Sequence, residues 1–280
     1  MNAKALRVHG LTRHYGGVKA VCDVSFSVEA GESVALIGPN GAGKTTLIQL
    51  IGGVARADLG SIWLGERNIS RSSPDQIACL GLARTFQTSR VFPDLSVMES
   101  VLIGGHPDFI GSRNGGIPLA MWQELAGAMF RLTRWRDREL ALRERAENIL
   151  RLFGDRLWSR RLDRAGSLSY ANRRRLEIAR ALLAAPRVLL LDEPAAGMNP
   201  TETAELADLL LELRKSCPDM ALIIVEHKLS FIRHTTERAL AMVGGQLLMD
   251  GDVDAVLSSK ALETAYLGLP PAPDGSGERR

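Results

Sequence analysis

Four groups of residues in this sequence could carry phosphate chemistry. From Gly38 to Thr45 the chain reads Gly-Pro-Asn-Gly-Ala-Gly-Lys-Thr, a G-x-x-x-x-G-K-T spacing. Gly38, Pro39, Asn40, Gly41, Ala42 and Gly43 form a turn whose glycines let the backbone curl round an anion. Lys44 can reach outer phosphates, the Thr45 hydroxyl can ligate Mg²⁺, and Thr46 follows beside it. Far downstream, Asp192 and Glu193 close the apolar run Val188–Leu191. One carboxylate at a strand end can sit by a metal, and the next can take a proton from an attacking water. His227 follows a second apolar run, 221–225, and Gln87 ends the expected strand Leu82–Gln87. A glycine-rich turn, an Asp-Glu-Pro turn and a structural histidine are the plain alternatives. The strand–loop–helix context of Gly38–Thr45 favours nucleotide chemistry over the first of them.

The elements that must position these residues can be read from periodicity. Val34–Ile37 reads as a buried strand, and the Leu47, Leu50, Ile51 spacing reads as the helix after the glycine turn. Residues 5–37 alternate like a small β-rich lobe, with pieces at Leu6–His9, Ala20–Val21 and Val24–Val28. Strands are expected at Gly60–Gly65 and Leu82–Gln87, helices at Pro74–Leu80 and Val97–Ile103, and a loop at Thr88–Leu95. Residues 104–117, rich in Gly, Pro, Asn and Asp, read as a linker, and Leu119–Phe153 reads as mostly helical and arginine-rich. Helices follow at Ser169–Ala184 and Thr201–Lys215, with late strands at Ala239–Val243 and Gln246–Met249. Continuous apolar strands alternating with helices imply a parallel sheet covered on both faces. Ligands bind such sheets at the carboxyl ends of strands, where Gly38, Gln87, Asp192, Glu193 and His227 all fall.

Composition bounds the reading. Apolar residues make up 45% and charged residues 24% of 280, ordinary for a globular protein of one large domain or a domain with an appended lobe. A net charge of +3 is too small to argue for nucleic acid, and acidic residues interleave most of the arginine runs. Cys22, Cys79 and Cys217 are scattered, which suits a reducing compartment and excludes a disulfide framework or zinc motif. No run approaches the ~20 apolar residues of a membrane span, and Met1–Lys4 opens no signal peptide. The expected location is the cytoplasm.

Leu168-Ser169-Tyr170-Ala171-Asn172-Arg173, placed before Asp192, resembles the signature motif of ATP-binding cassette (ABC) proteins. Tyr15 then matches the adenine-stacking aromatic, Gln87 the Q-loop, Glu193 the catalytic base, Ala196–Asn199 the D-loop and His227 the switch histidine. Within that superfamily the chain looks like the ATPase subunits of branched-chain amino-acid importers. Gly81–Gln87, Asp192–Pro200 and Ala265–Gly268 carry that likeness. The resemblance implies an α/β P-loop NTPase core with a mixed or parallel sheet, a β-rich N-terminal lobe and an inserted α-helical lobe. The core would span 5–103 and 169–268, the linker and helical lobe 104–168, and a disordered tail 269–280.

The resemblance implies an ATP hydrolase using ATP and Mg²⁺, with Thr45, Gln87 and Asp192 at the metal. Two cassettes, identical or related, would close head to tail, so that Ser169 and the backbone at Ala171 cap a phosphate held by the opposite P-loop. Integral membrane permease subunits and, indirectly, a solute-binding protein are the implied partners, with no nucleic acid, at the cytoplasmic face of the inner membrane. Other ABC transporters, such as a urea or amide importer or a lipid exporter, and a soluble ABC ATPase are the alternatives. Val91, Phe92, Pro93 and Leu95 are expected to face a membrane subunit. Ala171 and Asn172 replace the Gly and Gln usual in the signature, and that departure is expected to weaken the closed pair by roughly 1 kcal/mol.

Overall fold

The computed structural model describes residues 4–85, 91–105 and 124–266. Strands β1 (Lys4–Tyr15) and β2 (Val18–Glu29) form a long hairpin that turns at Gly16–Gly17, with Tyr15 paired to Val18. With β4 (Leu59–Leu64) and β5 (Arg67–Asn68) they make an antiparallel sheet in the order β2-β1-β4-β5. The pieces expected at 20–21 and 24–28 are one continuous strand, because register shifts keep the pairing going past Asp23.

The second sheet has the order β10-β9-β3-β8-β7-β6. It comprises β3 (Ser33–Ile37), β6 (Leu82–Arg84), β7 (Val188–Asp192), β8 (Ala221–Val225), β9 (Arg238–Val243) and β10 (Gln246–Asp252). Its first five members pair in parallel, and β10 returns antiparallel to β9. This is the mixed α/β sheet expected. Strand β6 ends at Arg84, short of the expected Gln87, which lies outside the described residues with the rest of 86–90.

Period-2 alternation sends each central strand's side chains into different cores. Leu189 and Leu191 of β7 and Leu222 and Ile224 of β8 pack with the helices. Val188, Leu190, Ile223 and Val225 pack against the antiparallel sheet. Helix α1 (Lys44–Ile51) follows β3, and α2 (Pro74–Cys79) follows the first lobe. Helices α3 (Val97–Leu102), α4 (Glu124–Leu152), α5 (Tyr170–Leu183) and α6 (Pro200–Ser216) gather on the far face. Residues 106–123 lie outside the described residues, so most of the expected linker does too, as does the expected tail.

One core runs from Val101 and Leu150 through Leu168 and Ala179 to Leu189, so residue 168 is no boundary in packing. Three short helices were not read from the sequence: α7 (Leu229–Thr235), α8 (Val253–Leu257) and α9 (Lys260–Tyr266). Each spans two turns at most, too short for a periodic apolar stripe to show. Among the described residues no helix is long and apolar enough to cross a membrane.

Candidate active site

The strand order brings the carboxyl ends of β3, β8 and β7 side by side. Gly38 follows β3 with φ 145°, where a Cβ would lie 2.1 Å from the Met242 carbonyl oxygen. Gly43, at φ 98°, abuts the first lobe so closely that a Cβ would lie 2.2 Å from the Ala20 carbonyl. Only glycine fits these two positions, and between them the loop is pinned by Gly245 N–H donating to Ala42 O at 3.1 Å.

Helix α1 starts at this loop with Gly43 as N-cap, no side-chain cap and no acidic residue in its first turn. By contrast, α2, α3 and α6 begin in complete capping boxes made by Ser73 with Gln76, Ser96 with Glu99 and Asn199 with Glu202. The first N–H groups of α1 and its positive dipole end are therefore left for an anion. Lys44 Nζ donates to Gly38 O at 2.6 Å and Pro39 O at 3.0 Å. An ammonium carries three donors, so one remains for a phosphate oxygen. Burial lowers the Lys44 pKa below its ordinary value, and the Glu193 and Asp192 charges oppose that shift. Thr45 is exposed and Thr46 half-buried at the mouth of the loop.

Asp192 is 4% exposed at the end of β7. Its Oδ2 accepts from Arg84 Nη2 at 3.0 Å, and its backbone N–H donates to Thr85 Oγ1 at 3.3 Å. Glu193 turns away from the strand with φ 48°, a backbone state that costs an L-residue free energy. That turn places its Oε1 3.3 Å from Nε2 of His227, which follows β8. A carboxylate and an imidazole thus meet at the end of the sheet beside the phosphate loop. This pairing can orient a water and stabilise charge on a reacting phosphate.

Tyr15, 45% exposed, carries the Arg13 guanidinium 4.7 Å from its ring centroid, a cation–π contact made between residues i and i+2 of β1. Ser169 caps α5, its hydroxyl accepting from Asn172 N–H at 3.3 Å. No capping box forms there, as the shorter Asn172 side chain implies; its Oδ1 accepts from Arg175 Nη1 at 2.9 Å instead. Ala171 is 3% exposed and its methyl group belongs to the helical core. Ser169 and Tyr170 are the exposed residues at this helix start.

Several residues at the site were not assigned from sequence. Arg84 reaches Asp192 because β6 pairs Arg84 with Leu190, two residues short of the aspartate on the same strand. Tyr266 of α9 accepts a hydrogen bond from Gly38 N–H at 3.2 Å, and burial raises its phenol pKa. Glu226 and Lys228, on either side of His227, both contact the 195–203 segment. Only the strand order reveals these contacts.

A phosphate-cradling loop beside Asp192 and a Glu–His pair, with a Ser-capped helix on the same chain, is the site of a P-loop ATPase cassette. The chain belongs to the ABC transporter family, whose sequence profile matches residues 21–196. It is 34% identical over 270 residues to the high-affinity branched-chain amino acid transport ATP-binding protein LivG of Salmonella typhimurium, covering 96% of this chain and 99% of that protein. The corresponding protein BraF of Pseudomonas aeruginosa is 34% identical over 268 residues, with the same two coverages of 96% and 99%.

Among solved structures, a nucleotide-free ATP-binding cassette from an ABC transporter matches with a TM-score of 0.76 at 29% identity, over 94% of this chain and 98% of that one. The ADP conformation of an ATP-binding cassette of an ABC transporter matches with a TM-score of 0.76 at 28% identity, over 95% and 99%. A dimeric bacterial ABC transporter cassette shares the fold, with a TM-score of 0.68 at 21% identity over 89% and 98%. The chain is an ATP-binding, ATP-hydrolysing cassette.

Proposed function

We propose that this chain powers uptake of branched-chain or related hydrophobic amino acids, as the ATPase of an importer at the cytoplasmic face of the inner membrane. The observation that carries the catalytic half is the 3.3 Å Glu193–His227 pair beside the Lys44 loop. The substrate half is supported by the names of relatives such as LivG and BraF, which this chain matches end to end.

In this reading two cassettes, identical or related, close head to tail on ATP. The Gly38–Gly43 backbone, Lys44 and Thr46 grip the phosphates, and Tyr15 stacks on the adenine. Ser169 and the start of α5 of the opposite subunit cap the terminal phosphate, with Ala171 supporting that turn from within the core. Glu193 takes the proton of the water that attacks the γ-phosphate, ADP leaves, and His227 supports the γ-phosphate. Mg²⁺ fits the donors Thr45, Asp192 and Gln87, since a hard cation keeps several waters and needs few oxygen ligands. It would neutralise phosphate charge. Arg84 already engages one oxygen of Asp192 and fixes the direction of the other.

Phe92, half exposed beside the core-packed Val91, is the contact offered to a membrane permease subunit, to which a solute-binding protein delivers its cargo. Co-expression with permease subunits, purification of the complex and assay of ATPase activity with loaded binding protein test the proposal. Stimulation by leucine-loaded binding protein is expected. Stimulation by urea or amides overturns the amino-acid assignment, and stimulation by lipid with no binding protein overturns the importer assignment.

A further inference from the structure

The two residues flanking His227 do more than continue the chain. Glu226 is 3% exposed, and its carboxylate lies between the two catalytic turns. Its Oε1 accepts from Ala195 N–H at 2.8 Å, two residues past Glu193. Its Oε2 accepts from His227 N–H at 2.9 Å and Lys228 N–H at 3.3 Å. Just before this, Glu193 N–H donates to Val225 O at 2.9 Å. The carboxylate thus extends the β7–β8 ladder by one rung beyond the point where the strands end. Lys228 adds the next rung: its Nζ donates to Ala195 O, Met198 O and Thr203 Oγ1, each at 2.9 Å. All three ammonium donors are spent on the turn after Glu193 and the first turn of α6.

We infer that Glu226 and Lys228 are positioning residues for hydrolysis, which lock the turn bearing Glu193 to the turn bearing His227 and both to the 195–199 segment. The inference rests on the proposed roles of Glu193 and His227. The residue types are those the task requires. A carboxylate is acceptor-only and can take N–H groups on both oxygens, whereas an amide turns a donor towards one of them. A single ammonium can gather three acceptors from different directions, which a thioether cannot. The Glu193 backbone is held in an unfavourable state, and such a state persists only where the surroundings over-determine it. These six side-chain bonds, with the Val225 carbonyl, are that surrounding.

The test compares Glu226→Gln and Lys228→Met with Glu193→Gln in the full-length subunit. Three quantities are read: turnover, affinity for a fluorescent ATP analogue, and amide hydrogen exchange. Loosening a catalytic pair by about 1 Å costs up to ~10²-fold in rate, so kcat should fall on that scale in both positioning variants while nucleotide affinity holds. Exchange should accelerate at Ala195 and at His227–Lys228 in Glu226→Gln, and across 195–199 in Lys228→Met. Lys228→Arg, which keeps donors, should recover part of the rate. Wild-type turnover in both variants overturns the inference, provided Glu193→Gln is inactive. Turnover in Glu193→Gln overturns the reading on which it rests instead. Should Glu226→Gln fail to fold, the half-buried Lys228→Met decides. Equal losses of nucleotide affinity, thermal stability and rate in that variant would show a purely structural contact and refute it.

Discussion

Replacing Glu193 by glycine should cut turnover steeply and leave the fold within about 1 kcal/mol of its wild-type stability. Glu193 sits at φ 48°, and a positive φ costs an L-residue roughly 1–2 kcal/mol. Glycine removes that cost but adds unfolded-state freedom, giving back about 0.5–1 kcal/mol. The lost contact with His227 is minor, because the His227 and Glu193 side chains are 37% and 24% exposed and even a charged pair so exposed contributes about 0–1 kcal/mol. The sum falls within about 1 kcal/mol of wild type, or a melting shift of roughly 2–4 °C at this chain length. The rate should fall ~10²–10⁴-fold, as for removal of a positioned base, which is about 3–5 kcal/mol of barrier. Glu193→Gln serves as the reference: it keeps the strained backbone, loses the base and should be the less stable of the two. Urea titration monitored by fluorescence and steady-state phosphate release measure both quantities. Destabilisation of Glu193→Gly by several kcal/mol would refute the strain argument, and substantial turnover in either variant would refute the assignment of the base.

Lys44→Ala should weaken ATP binding by about 10- to 150-fold, the loss of one charge-assisted hydrogen bond of roughly 1.5–3 kcal/mol, measured by isothermal titration. Undiminished affinity would remove Lys44 from the phosphate site. Phe92→Asp should abolish co-purification with permease subunits and leave the isolated subunit's stability within about 0.5 kcal/mol, because the ring is half exposed. A folding defect would instead place Phe92 in the core. Ala171→Gly should destabilise the subunit by about 1 kcal/mol, since it takes a buried methyl and helix propensity from α5 and opens no surface. If that variant instead hydrolyses faster at unchanged stability, the methyl does obstruct the phosphate cap.

Much of the site was legible because phosphate chemistry constrains sequence locally. Gly38–Thr45 and Val188–Glu193 announce themselves by spelling, and the structure puts both at the same edge of the parallel strands. The central strands were equally plain, since burial on both faces demands unbroken apolar runs such as 221–225. What stayed hidden depends on strand order. Nothing in the sequence says that β8 inserts between β3 and β7, yet that insertion brings His227 to Glu193. It also gives Glu226, whose identity alone suggests only a chain continuing past a strand, a buried place between two turns. Arg84 was visible as part of Gly81–Gln87, but its pairing with Asp192 needed the β6–β7 register.

The signature helix shows how a local reading can be right in its chemistry and incomplete in its consequence. Asn172 is too short for the capping box, and none forms at α5. Yet its Oδ1 accepts from Arg175, and Arg175 Nη2 donates to Glu205 Oε2 at 2.8 Å on α6. Arg175 is almost fully buried, so this bond joins two helices in an environment where charge-assisted hydrogen bonds are strong. Helix α6 is capped by Asn199, soon after the turn that carries Glu193. At the same helix start, Tyr170 lies against Gly197 and accepts from Arg174 Nε at 3.2 Å. The helix that would cap a partner's phosphate is thereby tied to the segment following this subunit's own Glu193, the proposed base. A lost cap weakens one helix end, whereas a bond to α6 couples two functional turns. On this fold Asn172 serves that coupling by holding the guanidinium of Arg175, which makes the bond.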